Sequence, residues 1–168
     1  SSLEETAYFL NLVSKVKVPI VLVGAQRPAS GMGTDAGINL VNAIRTAADP
    51  ESRGRGVLGV LNDEIHFARD MTKTSTLRQQ TFKSPDFGLL GHADWDKIAY
   101  YRWPERRRAP DTEFDVLKLS ELPRVDIAIS YAGSMGTAIP AFQTAGAKGI
   151  VVGAMAPGYV TPEELEQL

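Results

Sequence analysis

Apolar residues along this chain alternate between helical spacing and short unbroken runs, the pattern of helices interleaved with buried strands. Leu3, Ala7, Leu10 and Val13 form a helical stripe. Ser1 and Ser2 precede Glu4 and Glu5 at the three-residue offset of a capping box. Pro19 ends that pattern, and Ile20–Val23 reads as a strand buried on both faces, closed by Gly24. A polar loop over 25–34 leads to a helix over 35–48 whose stripe is Ile38, Val41, Ile44 and Ala48. Strands are predicted over 56–61 and 65–68, followed by a polar stretch over 69–85. Residues 89–91 and 97–101 flank 92–96 as a hairpin. Periodicity is then lost over 103–123, where prolines and three consecutive arginines stand. A strand–helix–strand–helix unit follows over 125–130, 137–145, 149–152 and from Pro162, the last helix capped by Thr161 with Glu164 closing the box. Strands alternating with helices imply an α/β fold with a parallel sheet. Two domains are expected: a partial parallel-sheet domain over 1–103, a linker over 104–123, and the start of a smaller α/β domain over 124–168. The second stretch is too short to cover a sheet face by itself.

Composition narrows the function classes. With 43% hydrophobic and 23% charged residues the chain can fill a core like an ordinary globular protein. A net charge of −2 gives no electrostatic footprint for nucleic acid or for an anionic membrane surface, so neither is expected as a partner. The absence of cysteine removes disulfides, thiolate metal sites and a Cys nucleophile, and leaves cytoplasm and periplasm equally open. No apolar run approaches the ~20 residues that span a bilayer. The opening SSLEETAYFL has no basic region of the kind that starts a signal peptide, and the true N-terminus is expected upstream of Ser1.

Ligands of open α/β sheets bind in loops at the carboxyl ends of strands. That rule selects 24–34, 62–76, 131–137 and 153–161, three of them rich in small and hydroxyl residues. Composition alone equally suits plain turns. Lys73 stands among hydroxyls in Thr72-Lys73-Thr74-Ser75-Thr76. A lysine there can act as a base toward a neighbouring hydroxyl once its pKa falls from the free value of ~10.4; otherwise it is a solvated surface residue. The glycines near Arg27 match no nucleotide fingerprint, and Arg27 reads as a structural guanidinium bonding loop carbonyls. His66 and His92 lack ligand-spaced partners, so no metal is expected. Arg106 to Arg108 reads as a solvated linker face.

Taken in order, several segments resemble the bacterial-type L-asparaginase family. They include Leu3-Glu4-Glu5-Thr6-Ala7-Tyr8-Phe9-Leu10, Val23-Gly24-Ala25-Gln26-Arg27-Pro28, and Asp35 with Asn39-Leu40 and Ala43. Gly54-Arg55-Gly56-Val57-Leu58, Asn62-Asp63, Arg69-Asp70-Met71-Thr72-Lys73-Thr74 and Thr81-Phe82-Lys83-Ser84 follow, and the likeness runs on through Gly88 to Gly91, Phe114-Asp115-Val116 and Leu122-Pro123-Arg124-Val125-Asp126-Ile127. The resemblance implies hydrolysis of L-asparagine, and of L-glutamine to some degree, through a Thr nucleophile supported by a relay of a second Thr, an Asp and a Lys, with no cofactor. It implies a homo-oligomer, a dimer of dimers, in which the smaller domain of one subunit completes the site of its neighbour. By this resemblance Lys73 falls on the relay lysine, flanked by Thr72 and Thr74. Ser1 falls on the relay Asp position, where it would meet substrate. Tyr159 replaces the small polar substrate-contacting residue expected from the neighbouring subunit. The nucleophile loop and the relay Thr would lie upstream of Ser1, so this chain is expected to be an internal fragment, inactive alone. After Asp35 the family's usual Gly-Pro is absent. Two other functions stay open at this point: a subunit of a transamidation complex acting on charged tRNA, and a non-catalytic α/β binding module, which Ser1 and Tyr159 favour.

Overall fold

The computed structural model describes residues 2–112 and 114–168. They form two compact units, Ser1–Val116 and Leu117–Leu168. Among the described residues no helix is long and apolar enough to cross a membrane.

The first unit has helix α1 (Leu3–Val13), strand β1 (Ile20–Val23), helix α2 (Ala36–Ala48), and strands β2 (Val57–Leu61), β3 (Glu64–Phe67), β4 (Thr72–Lys73), β5 (Phe82–Lys83), β6 (Gly91–Ala93) and β7 (Ile98–Tyr100). One sheet runs β1-β2-β3-β6-β7 and a separate ribbon pairs β4 with β5. β1 and β2 are parallel, Ile20 opposite Val57, and the remaining neighbours are antiparallel. The class is α/β, as expected, but the sheet is mixed. The cause sits at Asn62 and Asp63, which adopt φ of 52° and 62° and turn the chain back within two residues. Asn and Asp tolerate that left-handed geometry, which matches the twist of a hairpin. The stretch 62–76 is therefore a turn, a strand and a ribbon, and not one long loop.

The period-2 alternation of the strands assigns the two sheet faces. Ile20, Leu22, Val57 and Leu61 pack with Leu3, Ala7 and Leu10 of α1 and with Met71 and Phe82. Val21, Val23, Leu58 and Val60 pack with Ala43 of α2 and with Ile65, Phe67, Leu90 and Ala93. Gly59 leaves the room that Met71 fills, since a Cβ there would stand 2.5 Å from its sulfur.

Other expectations need correction too. Ser2 makes no side-chain cap to α1; its φ of −106° and ψ of 19° lie outside the extended conformation a capping side chain needs. β1 is half-buried, because among the described residues it is the sheet's edge strand. The largest difference is in α2, where Ile38, Val41 and Ile44 are 51–60% exposed and Asn39, Asn42, Ala43 and Thr46 face inward. Burying those amides is tolerable because they are bonded. Asn39 Nδ2 donates to Gly24 O and Asp35 Oδ2, Asn39 Oδ1 accepts from Asn62 N, and Asn42 Nδ2 donates to Asp63 Oδ1.

Past β7 the chain still packs on the first unit. Lys15 Nζ donates to the carbonyl and hydroxyl of Thr112. Arg106 and Arg107 are exposed, as expected of a solvated face, but Arg108 is not. It donates to Gly54 O and Pro104 O and lies over the Trp103 ring at 5.0 Å. The second unit pairs β8 (Val125–Ile129) in parallel with β9 (Gly149–Gly153), beside α3 (Ala138–Thr144) and α4 (Pro162–Leu165). The Thr161–Glu164 capping box forms as predicted. Val125, Ile127 and Ile129 leave one face of β8 open at 50–65% exposure.

Candidate functional site

The loop leaving β1 is shaped from below by one buried carboxylate. Asp35 Oδ2 accepts from Gln26 N at 2.9 Å and from Asn39 Nδ2 at 2.9 Å, and Oδ1 accepts from Arg27 N at 2.9 Å. Burial, the largest single influence, pushes the Asp35 carboxyl up, but the backbone amides of Gln26, Arg27 and Asp35 itself, with the Asn39 amide, outweigh it. The group ends below its ordinary value. Arg27 Nη1 closes the loop by donating to Gly33 O at 2.7 Å, the structural role expected of it.

This anchoring aims Gln26 at Lys73. The Gln26 amide nitrogen donates to Thr76 O at 3.2 Å and to Arg78 O at 3.0 Å, so its carbonyl oxygen must be the atom facing the lysine. Lys73 Nζ donates to that oxygen at 3.1 Å and lies 5.7 Å from the centre of the Phe82 ring. The Lys73 backbone is held separately, its N–H donating to a Glu4 carboxylate oxygen. Three elements therefore fix one residue: α1 and β5 hold its backbone, through Glu4 and through pairing of Lys73 with Phe82, and the β1 loop holds its side chain through Gln26. An open cleft of about 370 Å³ is lined by Lys73, Thr74, Ser75 and Thr76. A lysine side chain beside three hydroxyls can take part in proton transfer and bind a small polar ligand. A second cleft of similar size is lined by Tyr8, Phe9, Leu12 and Met71 together with Glu4, Glu5, Arg69 and Thr72, and most of the surface it presents is apolar.

Of the residues singled out from sequence, Lys73 is half-buried in this cleft. Tyr159 belongs to the second unit, 67% exposed, in a bridge with Met155. Ser1 lies outside the described residues. Gln26, Glu4 and Asp35 join the site only through the fold. Gln26 sits in a loop already selected by the strand-end rule, which is the signal that could have found it. Among the described residues no group of three or more His, Cys, Asp or Glu is placed to hold a metal ion.

Residues 1–106 match the sequence profile of the family described as Asparaginase, N-terminal. The probable periplasmic L-asparaginase of Haemophilus influenzae is 45% identical over 167 residues, covering 99% of this chain and 48% of that protein. L-asparaginase 2 of Escherichia coli is 49% identical over 150 residues, covering 89% and 43% respectively. The crystal structure of a probable cytoplasmic L-asparaginase from Campylobacter jejuni superposes with a TM-score of 0.94 at 39% identity, over 99% of this chain and 55% of that one. The chain thus spans about half the length of the relatives it matches. On sequence and on fold alike, the chain belongs to the asparaginase family.

Proposed function

We propose that this chain is the lysine-bearing part of an L-asparaginase, which hydrolyses the side-chain amide of L-asparagine to L-aspartate and ammonia. L-Glutamine, with the same amide one methylene further out, is the second substrate of this reading. A Thr hydroxyl from outside these 168 residues attacks the amide carbon and gives its proton to Lys73, which acts as the base. The tetrahedral intermediate expels ammonia, which leaves with that proton, and water then releases aspartate from the ester. The observation that carries the reading is the setting of Lys73. Its only side-chain hydrogen-bond partner among the described residues is a neutral amide oxygen, which holds the nitrogen at a cleft lined by Thr74, Ser75 and Thr76. In the same reading residues 1–103 end the larger domain, 104–123 link, and 124–168 begin the smaller one. In this reading, resting on the family resemblance alone, Ser1 takes the relay Asp position, and Tyr159 serves the site of a neighbouring copy in a dimer of dimers.

The test is Lys73→Met in the full-length protein, which keeps bulk and removes the amine. The expected result is a fall in kcat of at least ~10²-fold, with stability changed by no more than about 0.5 kcal/mol. A variant turning over at the parental rate would make Lys73 a surface lysine and end the reading.

A further inference from the structure

We propose that His66 is a positioning residue: with Glu64 it grips both ends of β5, and β5 in turn sets the strand that presents Lys73 to the cleft. The proposal rests on the reading of Lys73 as the relay base.

His66 lies in β3 at 1% exposure with both ring nitrogens engaged. Nε2 stands 3.1 Å from Glu64 Oε2, and Nδ1 stands 3.0 Å from Ser84 Oγ. An ionised carboxylate only accepts, so Nε2 carries the hydrogen and Nδ1 is left as an acceptor. Ser84 must therefore donate its hydroxyl to Nδ1. The other Glu64 oxygen accepts from Gln80 Nε2 at 2.9 Å. Gln80 precedes β5 and Ser84 follows it, so one His–Glu pair holds the segment 80–84 at either end.

That segment is the template for the lysine. Thr72 pairs with Lys83 and Lys73 with Phe82. Thr74 donates through its backbone and hydroxyl to Thr81 O at 2.7 and 2.8 Å, and Ser75 N donates to Thr81 Oγ1 at 3.0 Å. A ribbon of two-residue strands has little stability of its own. Phe82, only 4% exposed, fixes its depth, while the polar clamp fixes its ends. A buried imidazole is also a costly way to fill space unless its polar atoms are used. Burial pushes the His66 imidazole below its ordinary value. Glu64 pulls the other way, and His92 on β6 and Arg102 beyond β7 push down further. Neutral His66 is thus the form at pH 7, the form in which Nδ1 can accept from Ser84.

The experiment compares His66→Phe, His66→Asn and Ser84→Ala in the full-length protein by amide hydrogen exchange and by steady-state kinetics. His66→Phe keeps an apolar body and loses both bonds, whereas His66→Asn keeps an acceptor for Ser84. The clamp predicts exchange at Lys73, Thr74 and Ser75 at least about tenfold faster in His66→Phe and Ser84→Ala, with exchange across β2 unchanged. It predicts kcat lowered about tenfold or more with KM near the parental value, since small displacements of a catalytic group cost rate. His66→Asn should recover most of both. Parental exchange and kcat in folded His66→Phe would overturn the proposal, as would faster exchange spread evenly through β2. If His66→Phe does not fold, Ser84→Ala decides by the same two readouts. An active Lys73→Met variant would sink the reading of the lysine, yet the exchange data would still settle the clamp; an inactive Lys73→Met beside a fully active His66→Phe would sink the clamp alone.

Discussion

Asp35→Asn removes the charge beneath the Gln26 loop while keeping size and shape. In the native protein two carboxylate oxygens accept from Gln26 N, Arg27 N and Asn39 Nδ2, each at 2.9 Å. The substituted amide offers one oxygen, and its NH2 group must face at least one of those donors. One donor is then unsatisfied, at a cost of about 1–3 kcal/mol. Gln26 is only half-buried and Arg27 exposed, so water relieves part of this. A net loss of about 2 kcal/mol is expected, or roughly 4–8 °C in Tm for a protein of this size. The Asp35 carboxyl sits below its ordinary value of 3.8, so its contribution is present above that value and lost as pH falls through the lower folded one. Thermal unfolding followed by circular dichroism across pH gives the check: the parent exceeds the variant near neutrality, and the two converge in acid. In the full-length enzyme kcat should fall as well, since Gln26 no longer holds its oxygen against Lys73. A Tm within about 1 °C of the parent at neutral pH, far inside the expected shift, would refute the argument that this carboxylate organises the loop.

Gly91→Ala should cost about 3 kcal/mol or more, because an added Cβ would lie 2.0 Å from Ala99 O and force β6 from β7; urea denaturation measures it, and a loss below about 1 kcal/mol would contradict the geometry. Glu164 accepts from Ser130 Oγ, Ser134 Oγ and Thr161 N, and these bonds, the Ser130 hydroxyl foremost, hold its carboxyl below the ordinary 4.5. Its stabilising effect is therefore present above that value and lost as pH falls through the lower folded one. Glu164→Gln should lower Tm at neutral pH and flatten its acid dependence, and a variant with the parental profile would count against the network.

The elements of this chain were legible because short apolar runs and capping residues act locally. Ile20–Val23, Val57–Leu61 and the Thr161–Glu164 box needed nothing beyond their immediate neighbours. The motif around Lys73 was legible for the same reason, since its residues are consecutive. The facing of α2 was not. A stripe at helical spacing says that one side of a helix differs from the other, not which side meets the sheet. Here the inward side was chosen by Asn39 and Asn42, whose partners Gly24, Asn62 and Asp63 lie 15–23 residues away.

The site divides in the same way. Residue types alone determined that Lys73 could do proton chemistry, and the order of segments determined the family. Only the tertiary structure decided what the lysine meets. Gln26 is 47 residues from it in sequence and Glu4 is 69 residues away, and neither contact follows from local spacing. His66 carries the point furthest. Read as a lone histidine without ligand partners, it had no role until folding placed Ser84 on one nitrogen and Glu64 on the other. Hydrogen bonds are short and directional, so which groups pair depends on how strands register and turn. Short apolar runs and local caps depend only on residues adjacent in the chain, and that much is written in the sequence itself.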